Sequence, residues 1–139
     1  MDILLYLNLL SFLLFMFYVL NDVMLINSQE WLQVTLSETA MVTGVITQGR
    51  YANGHGEEYA ELVSVQVKLA TGEWEEVVVE ARANSDTSSK VEIMFPGGGV
   101  ETDMVRIIPI SKHPRMICLR IELLGCKIEG KIRKFNLTL

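Results

Sequence analysis

From Trp31 onward the apolar residues of this chain recur with a period close to two, and that period restricts the fold more than any other feature. In "LVSVQVKLA", Val63, Val65, Val67 and Leu69 alternate with Ser64, Gln66 and Lys68. Successive side chains of an extended strand point to opposite faces, so this pattern describes a strand with one dry and one wet face. "EWLQVTL" repeats it, with Leu32, Val34 and Leu36 set against Trp31, Gln33 and Thr35. After "SETA", which reads as a break, "MVTGVITQG" carries Val42, Val45 and Ile46. "TGEW" is a tight turn and "EEVVVE" runs back from it, so residues 62 to 80 are predicted to form a hairpin. "VEIMF" stops at Pro96 and three glycines, and "MVRIIPIS" and "MICLRIELLGC" are two further strands joined across "KHPR". The stripe Ile117, Leu119, Ile121 and Leu123 is core by the same alternation, and Trp31 and Trp74 suit strand packing. Short strands between turn signals, without an amphipathic helix, imply an all-β antiparallel sandwich or barrel.

With 139 residues the chain holds one domain, taken here as roughly 29–126, with a tail at 127–139. The net charge of −5 argues against a nucleic-acid partner, which needs clustered Lys and Arg. Enzyme signatures such as GxGxxG, the P-loop, HExxH and GxSxG are absent. His55 and His113 both fall in predicted loops and read as solvated residues rather than bases or ligands. No cofactor is implied. Cys118 and Cys126 match no zinc spacing. Eight positions apart on one strand, they lie roughly 27 Å from each other at ~3.4 Å per residue, too far to bridge unless the strand breaks. Asn136 heads the sequon Asn136-Leu137-Thr138 in the basic tail, a glycosylation candidate.

Residues 1–28 form a hydrophobic segment whose run from Ile3 to Leu20 is 18 residues long, near the minimum for a membrane span. No Lys or Arg precedes Arg50, and no small-residue cleavage site is evident. Three readings stand side by side: a signal peptide, a signal anchor associating with a membrane through residues 3–20, or a stretch that was never the true start of the protein.

The densest chemistry lies in "TQGRYANGHGEEYAE", Thr47 to Glu61. Gly49, Gly54 and Gly56 imply special backbone geometry at a strand end, and loops at the ends of sandwiches commonly carry binding function. Arg50, His55 and Glu58 are the candidate ligand-binding residues. Arg50 and Glu58 either pair with each other and fix the loop, or line a rim that hydrogen-bonds a polar ligand. Glu57, Glu58 and Glu61 form an acidic run more consistent with solvation than with a calcium site, which needs several converging oxygens. "NSD" at Asn84 to Asp86 reads as a turn.

In order and spacing, "WLQVTL", "VTGVITQGR", "MVRIIPI" and "CLRIELLGC" resemble the discoidin domain, also called the coagulation-factor type C domain, over Glu30 to Cys126. The resemblance implies a jelly-roll-like β-sandwich with ligand-binding loops at one end. The loop from Thr47 to Glu61 looks like that of the discoidin domain receptors, the collagen-binding receptor tyrosine kinases. There, the arginine after "TQG" and a glutamate after the glycines help line a collagen-binding trench, which places those roles on Arg50 and Glu58. A collagen triple helix exposes carbonyls and polar side chains, and one cation beside one anion can grip it directionally. The resemblance also implies structural bonds for Arg106 and Arg120. In the family the cysteines matching Cys118 and Cys126 pair with partners in an earlier region, so here both are expected to be unpaired and the domain N-terminally incomplete. The implied function is an extracellular ligand-binding module of a cell-surface receptor, binding collagen or another matrix protein, exposed at the plasma membrane or secreted. The alternatives are a generic discoidin domain for phospholipid or carbohydrate in cell adhesion, and a truncated fragment without a ligand. No kinase motif is present in the chain, so catalysis is not implied.

Overall fold

The computed structural model describes residues 2–3, 31–50, 55–113 and 116–128. Among these residues seven strands make one curled sheet: β1 (Asp2–Ile3), β2 (Leu32–Gln48), β3 (Leu62–Lys68), β4 (Trp74–Arg82), β5 (Val91–Met94), β6 (Val100–Ile110) and β7 (Arg120–Lys127). The path β1-β2-β6-β3-β4 runs along the first half of β2, while β5 and β7 flank its second half. Except for the parallel β1–β2 pair, every pairing is antiparallel. The architecture is that of an all-β sandwich, as expected.

The long strand β2 makes this possible by serving both layers. Leu32 to Thr35 pair with Ile107 to Met104 of β6, and Gly44 to Thr47 pair with Met94 to Val91 of β5. Between these halves the register slips from Thr35 to Ala40, and Ser37, Glu38 and Thr39 bulge to solvent. "SETA" is therefore a bulge within one strand and not a break between two. A bulge keeps the ladder going while bending it, which a sheet that curls over its own core requires.

A second slip, between Val42 and Gly44, exchanges the faces of β2. Leu32, Val34, Leu36, Ala40 and Val42 point inward before it, Val45 and Thr47 after it. That places the hydroxyl-bearing Thr47 in the core and leaves Ile46 half-buried. The hairpin forms as predicted, with Val63, Val65 and Val67 wholly buried. Ser64, expected on the wet face, is buried too, and its Oγ accepts a 2.9 Å bond from the Glu80 amide. Glu80 has φ +44° and sits where β4 skips a register step, so the serine holds the bulge. Ile117, Leu119 and Ile121 join the core, with Leu123 packed against it. β6 begins at Val100, earlier than the apolar pattern indicates, and β7 runs on to Lys127.

Candidate functional site

The second half of β2 delivers Gly49 and Arg50 to a junction of three chain segments: 48–50, 55–61 and 83–89. Arg50 N–H donates to the Glu58 carbonyl at 2.9 Å, and the Ala83 and Asn84 amides donate to the carbonyls of Glu61 and Ala60. Gly49 has to be glycine here. A Cβ would stand 2.6 Å from the Glu58 carbonyl oxygen, 2.7 Å from Tyr59 Cβ and 3.0 Å from Thr87 Cα. Gly56 adopts φ +99°, a left-handed turn that L side chains rarely enter.

Side chains then fasten the third segment. Asn84, 3% exposed, donates through Nδ2 to the carbonyls of Thr47 and Ser89, both at 3.0 Å. Gln48 Nε2 reaches the Ser88 carbonyl at 2.7 Å, and Arg120 from β7 donates to the carbonyls of Gly49 (2.6 Å) and Thr87 (3.1 Å). Asp86 accepts from the amides of Ser88 and Ser89 and from the Ser89 hydroxyl. The hydroxyl and amide bonds of Ser89 hold the Asp86 carboxyl below the usual aspartate range. "NSD" is a turn, then, but one whose asparagine is a buried clamp. Thr47 Oγ1 and Asn84 Oδ1 are buried without a partner among the described residues.

On this frame Arg50 Nη1 lies 3.5 Å from Glu58 Oε1, with the two side chains 42% and 28% exposed. Glu58 Oε2 also accepts from the Glu57 amide at 3.0 Å. His55 is exposed, and its carbonyl accepts from the Thr87 hydroxyl at 3.3 Å. The candidates Arg50, His55 and Glu58 thus share one end of the sandwich, while Tyr51 to Gly54 lie outside the described residues. The acidic run does not converge. Glu61 turns away to Ser111, the Lys112 amide and His113 Nδ1, the last at 2.8 Å. His113 is therefore a tethered loop residue and not simply a solvated one. Among the described residues no three His, Cys, Asp or Glu side chains gather to hold a metal ion. Cys118 is buried, and burial, then the Glu58 charge, push its thiol up, with Arg50 opposing. Cys126 is exposed at the far end of β7, and no disulfide joins it to Cys118.

The F5/8 type C domain model matches residues 25–123. The chain belongs to that family. The F5/8 type C domain here is 37% identical over 109 residues to discoidin domain-containing receptor A of Caenorhabditis elegans, a stretch covering 74% of this chain and 14% of the receptor. Pig (Sus scrofa) lactadherin is 36% identical over 107 residues, covering 72% of this chain and 25% of lactadherin. Discoidin II of Dictyostelium discoideum superposes with a TM-score of 0.58 at 22% identity, covering 69% of this chain and 37% of discoidin II, a likeness of fold. The chain thus spans about a seventh of the receptor and a quarter of lactadherin.

The spacing of residues did not disclose Asn84, Thr87 and Arg120 as the supports of this F5/8 type C loop end. Their partners are backbone carbonyls 33 and 71 positions distant for Arg120, 32 for Thr87, and 37 and 5 for Asn84. The one available sign was Arg120, a charge within the apolar run "MICLRIELL" that needs partners when buried, whereas Asn84 stands in the polar stretch "RANSDTSS". Residues 4–20 and Asn136 lie outside the described residues. Among those described, no helix is long and apolar enough to cross a membrane.

Proposed function

We propose that this domain is an extracellular ligand-binding module of a cell-surface receptor, that its ligand is collagen or a similar matrix protein, and that Arg50, His55 and Glu58 form part of the binding rim. The observation carrying this reading is the half-exposed Arg50–Glu58 pair, presented by a loop end whose backbone is pinned by Asn84, Gln48 and Arg120. Neither charge is buried, so both can exchange their mutual contact for bonds to a ligand. A cation and an anion side by side suit a ligand that presents carbonyls and polar side chains along its length, as a triple helix does. The likeness to a discoidin domain-containing receptor supports the same direction.

The test is binding of the chain to immobilised triple-helical collagen, to the same collagen after heat denaturation, and to phosphatidylserine vesicles. Saturable binding to the triple helix alone is expected. Binding to vesicles alone would replace the collagen reading with a lipid-surface one.

A further inference from the structure

The outer face of the sheet at the start of β2, away from the loop end, carries a group of side chains that the proposed rim does not use. Arg106 of β6 lies over two indoles, its Cζ 4.2 Å from the centre of the Trp31 ring and 3.8 Å from that of Trp74. Its Nε donates to Gln33 Oε1 at 2.9 Å. Gln33, Arg106, Gln66 and Glu76 are consecutive register partners across β2, β6, β3 and β4. Gln66 and Lys68 are both half-buried on the outer face, opposite Val65 and Val67.

Among the described side chains no anion is paired with this cluster. A guanidinium taken wholly out of water needs a carboxylate, whereas a half-buried one keeps its exposed nitrogens for solvent or a ligand. Among the described side chains Arg106 has no ion pair, and neither Nη nitrogen has an acceptor there or is sealed from solvent. Likewise, the amide of Gln66 and the ammonium of Lys68 bond to no described side chain and reach solvent. Two indoles lie within about 4 Å of the guanidinium carbon, and Gln33 occupies its Nε. The edge that remains is the Nη fork, which matches two oxygens of a carboxylate or sulfate. Rings and amide together fix that fork before any ligand arrives, which lowers the ordering cost of binding.

We propose that this face is an oxyanion-binding site: a carboxylate or sulfate group docks edge-on to the Nη groups of Arg106, flanked by the Gln66 amide and the Lys68 ammonium. Asp2 of β1 is the register partner of Gln33 on one side, and on the other Glu76, exposed on β4 across from Gln66, stands two strands from Arg106 at roughly 10 Å. Glu76 weakens the site without filling it.

Trp31 and Trp74 are the two tryptophans of the chain, so its indole fluorescence reports on this face directly. The full chain is titrated with sodium sulfate or sodium acetate against sodium chloride at matched ionic strength. A saturable change with sulfate, acetate or both is expected, with a midpoint on the order of 1 mM for so small a ligand. Sulfate alone identifies a tetrahedral ligand and acetate alone a planar one, and either supports the site. Arg106→Gln abolishes saturation, Lys68→Ala weakens it about two- to fivefold, and Glu76→Gln tightens it about twofold. Should Arg106→Gln unfold, the Gln66→Ala/Lys68→Ala double variant decides the matter, and an unchanged midpoint in it would overturn the proposal. So would fluorescence that follows ionic strength alone. Arg50→Ala leaves this titration unaltered, which separates the site from the collagen rim.

Discussion

The loop end around Gly49 and the sheet face around Arg106 both hang on β2, and each is organised by an arginine, but the two arginines are held differently. At the loop end Arg120 donates to the backbone carbonyls of Gly49 and Thr87, and so joins two chain segments. On the sheet face Arg106 is held by rings and one amide oxygen, and its fork has no partner among the described side chains. An arginine bonded to carbonyls shapes the backbone, whereas a stacked one is itself oriented while the backbone runs on undisturbed in a regular ladder. The first arrangement positions other residues for binding, here Arg50 and Glu58. The second makes the arginine itself available.

That contrast fails if Arg120 is dispensable. Arg120→Ala removes two charge-assisted bonds to carbonyls and is expected to destabilise the fold by about 3 kcal/mol in urea unfolding. A loss below about 1 kcal/mol would mean that Gly49 and Thr87 are held by something else. On the other side, Trp74→Ala removes a ring from the Arg106 stack and is expected to cost about 2 kcal/mol while leaving the loop end intact. Amide chemical shifts at Gly49 and Ser88 that move with this substitution would show the two regions to be coupled.

Thr47→Val sharpens the comparison from within the core. It replaces a buried, unpartnered hydroxyl by a methyl group of similar size, and a gain of about 1 kcal/mol is expected by thermal unfolding. A loss would show that the hydroxyl is hydrogen-bonded in solution. Smaller again is the effect of Arg50→Ala or Glu58→Ala on stability, about 0–1 kcal/mol, because the pair is solvent-screened. The Asp86 turn adds a pH dependence. Its carboxyl is held below its unfolded range, so its stabilisation is complete above that range and is lost as pH falls through the folded value. The Ser88 and Ser89 amide shifts should therefore titrate with a midpoint below that of an unstructured aspartate. A midpoint at the ordinary value would remove the proposed bonds.

The strands were legible because burial imposes a period of two, and Val63, Val65 and Val67 obey it without exception. Thr47, Ser64 and the continuity of β2 were not, since each depends on a bulge, and a bulge changes which parity faces inward only once the partner strand is known. At the loop end, Arg50 and Glu58 stood out by charge among glycines, and the structure brings them within 3.5 Å. The clamp of Asn84 and Arg120 stayed hidden because backbone carbonyls, its acceptors, leave no trace in side-chain patterns. For the sheet face, alternation placed Trp31, Gln33 and Arg106 on strands, but only cross-strand register stacks them.

Whether the Arg50–Glu58 pair is a directional rim or a brace decides how this domain binds, and the proposed function requires the rim. Exchanging the two charges in Arg50→Glu/Glu58→Arg preserves a brace and reverses a rim. With collagen immobilised and each chain's unfolding midpoint measured alongside, the exchanged variant should fold as the parent does and bind at least tenfold more weakly. Parental affinity in the exchanged variant would contradict the directional rim.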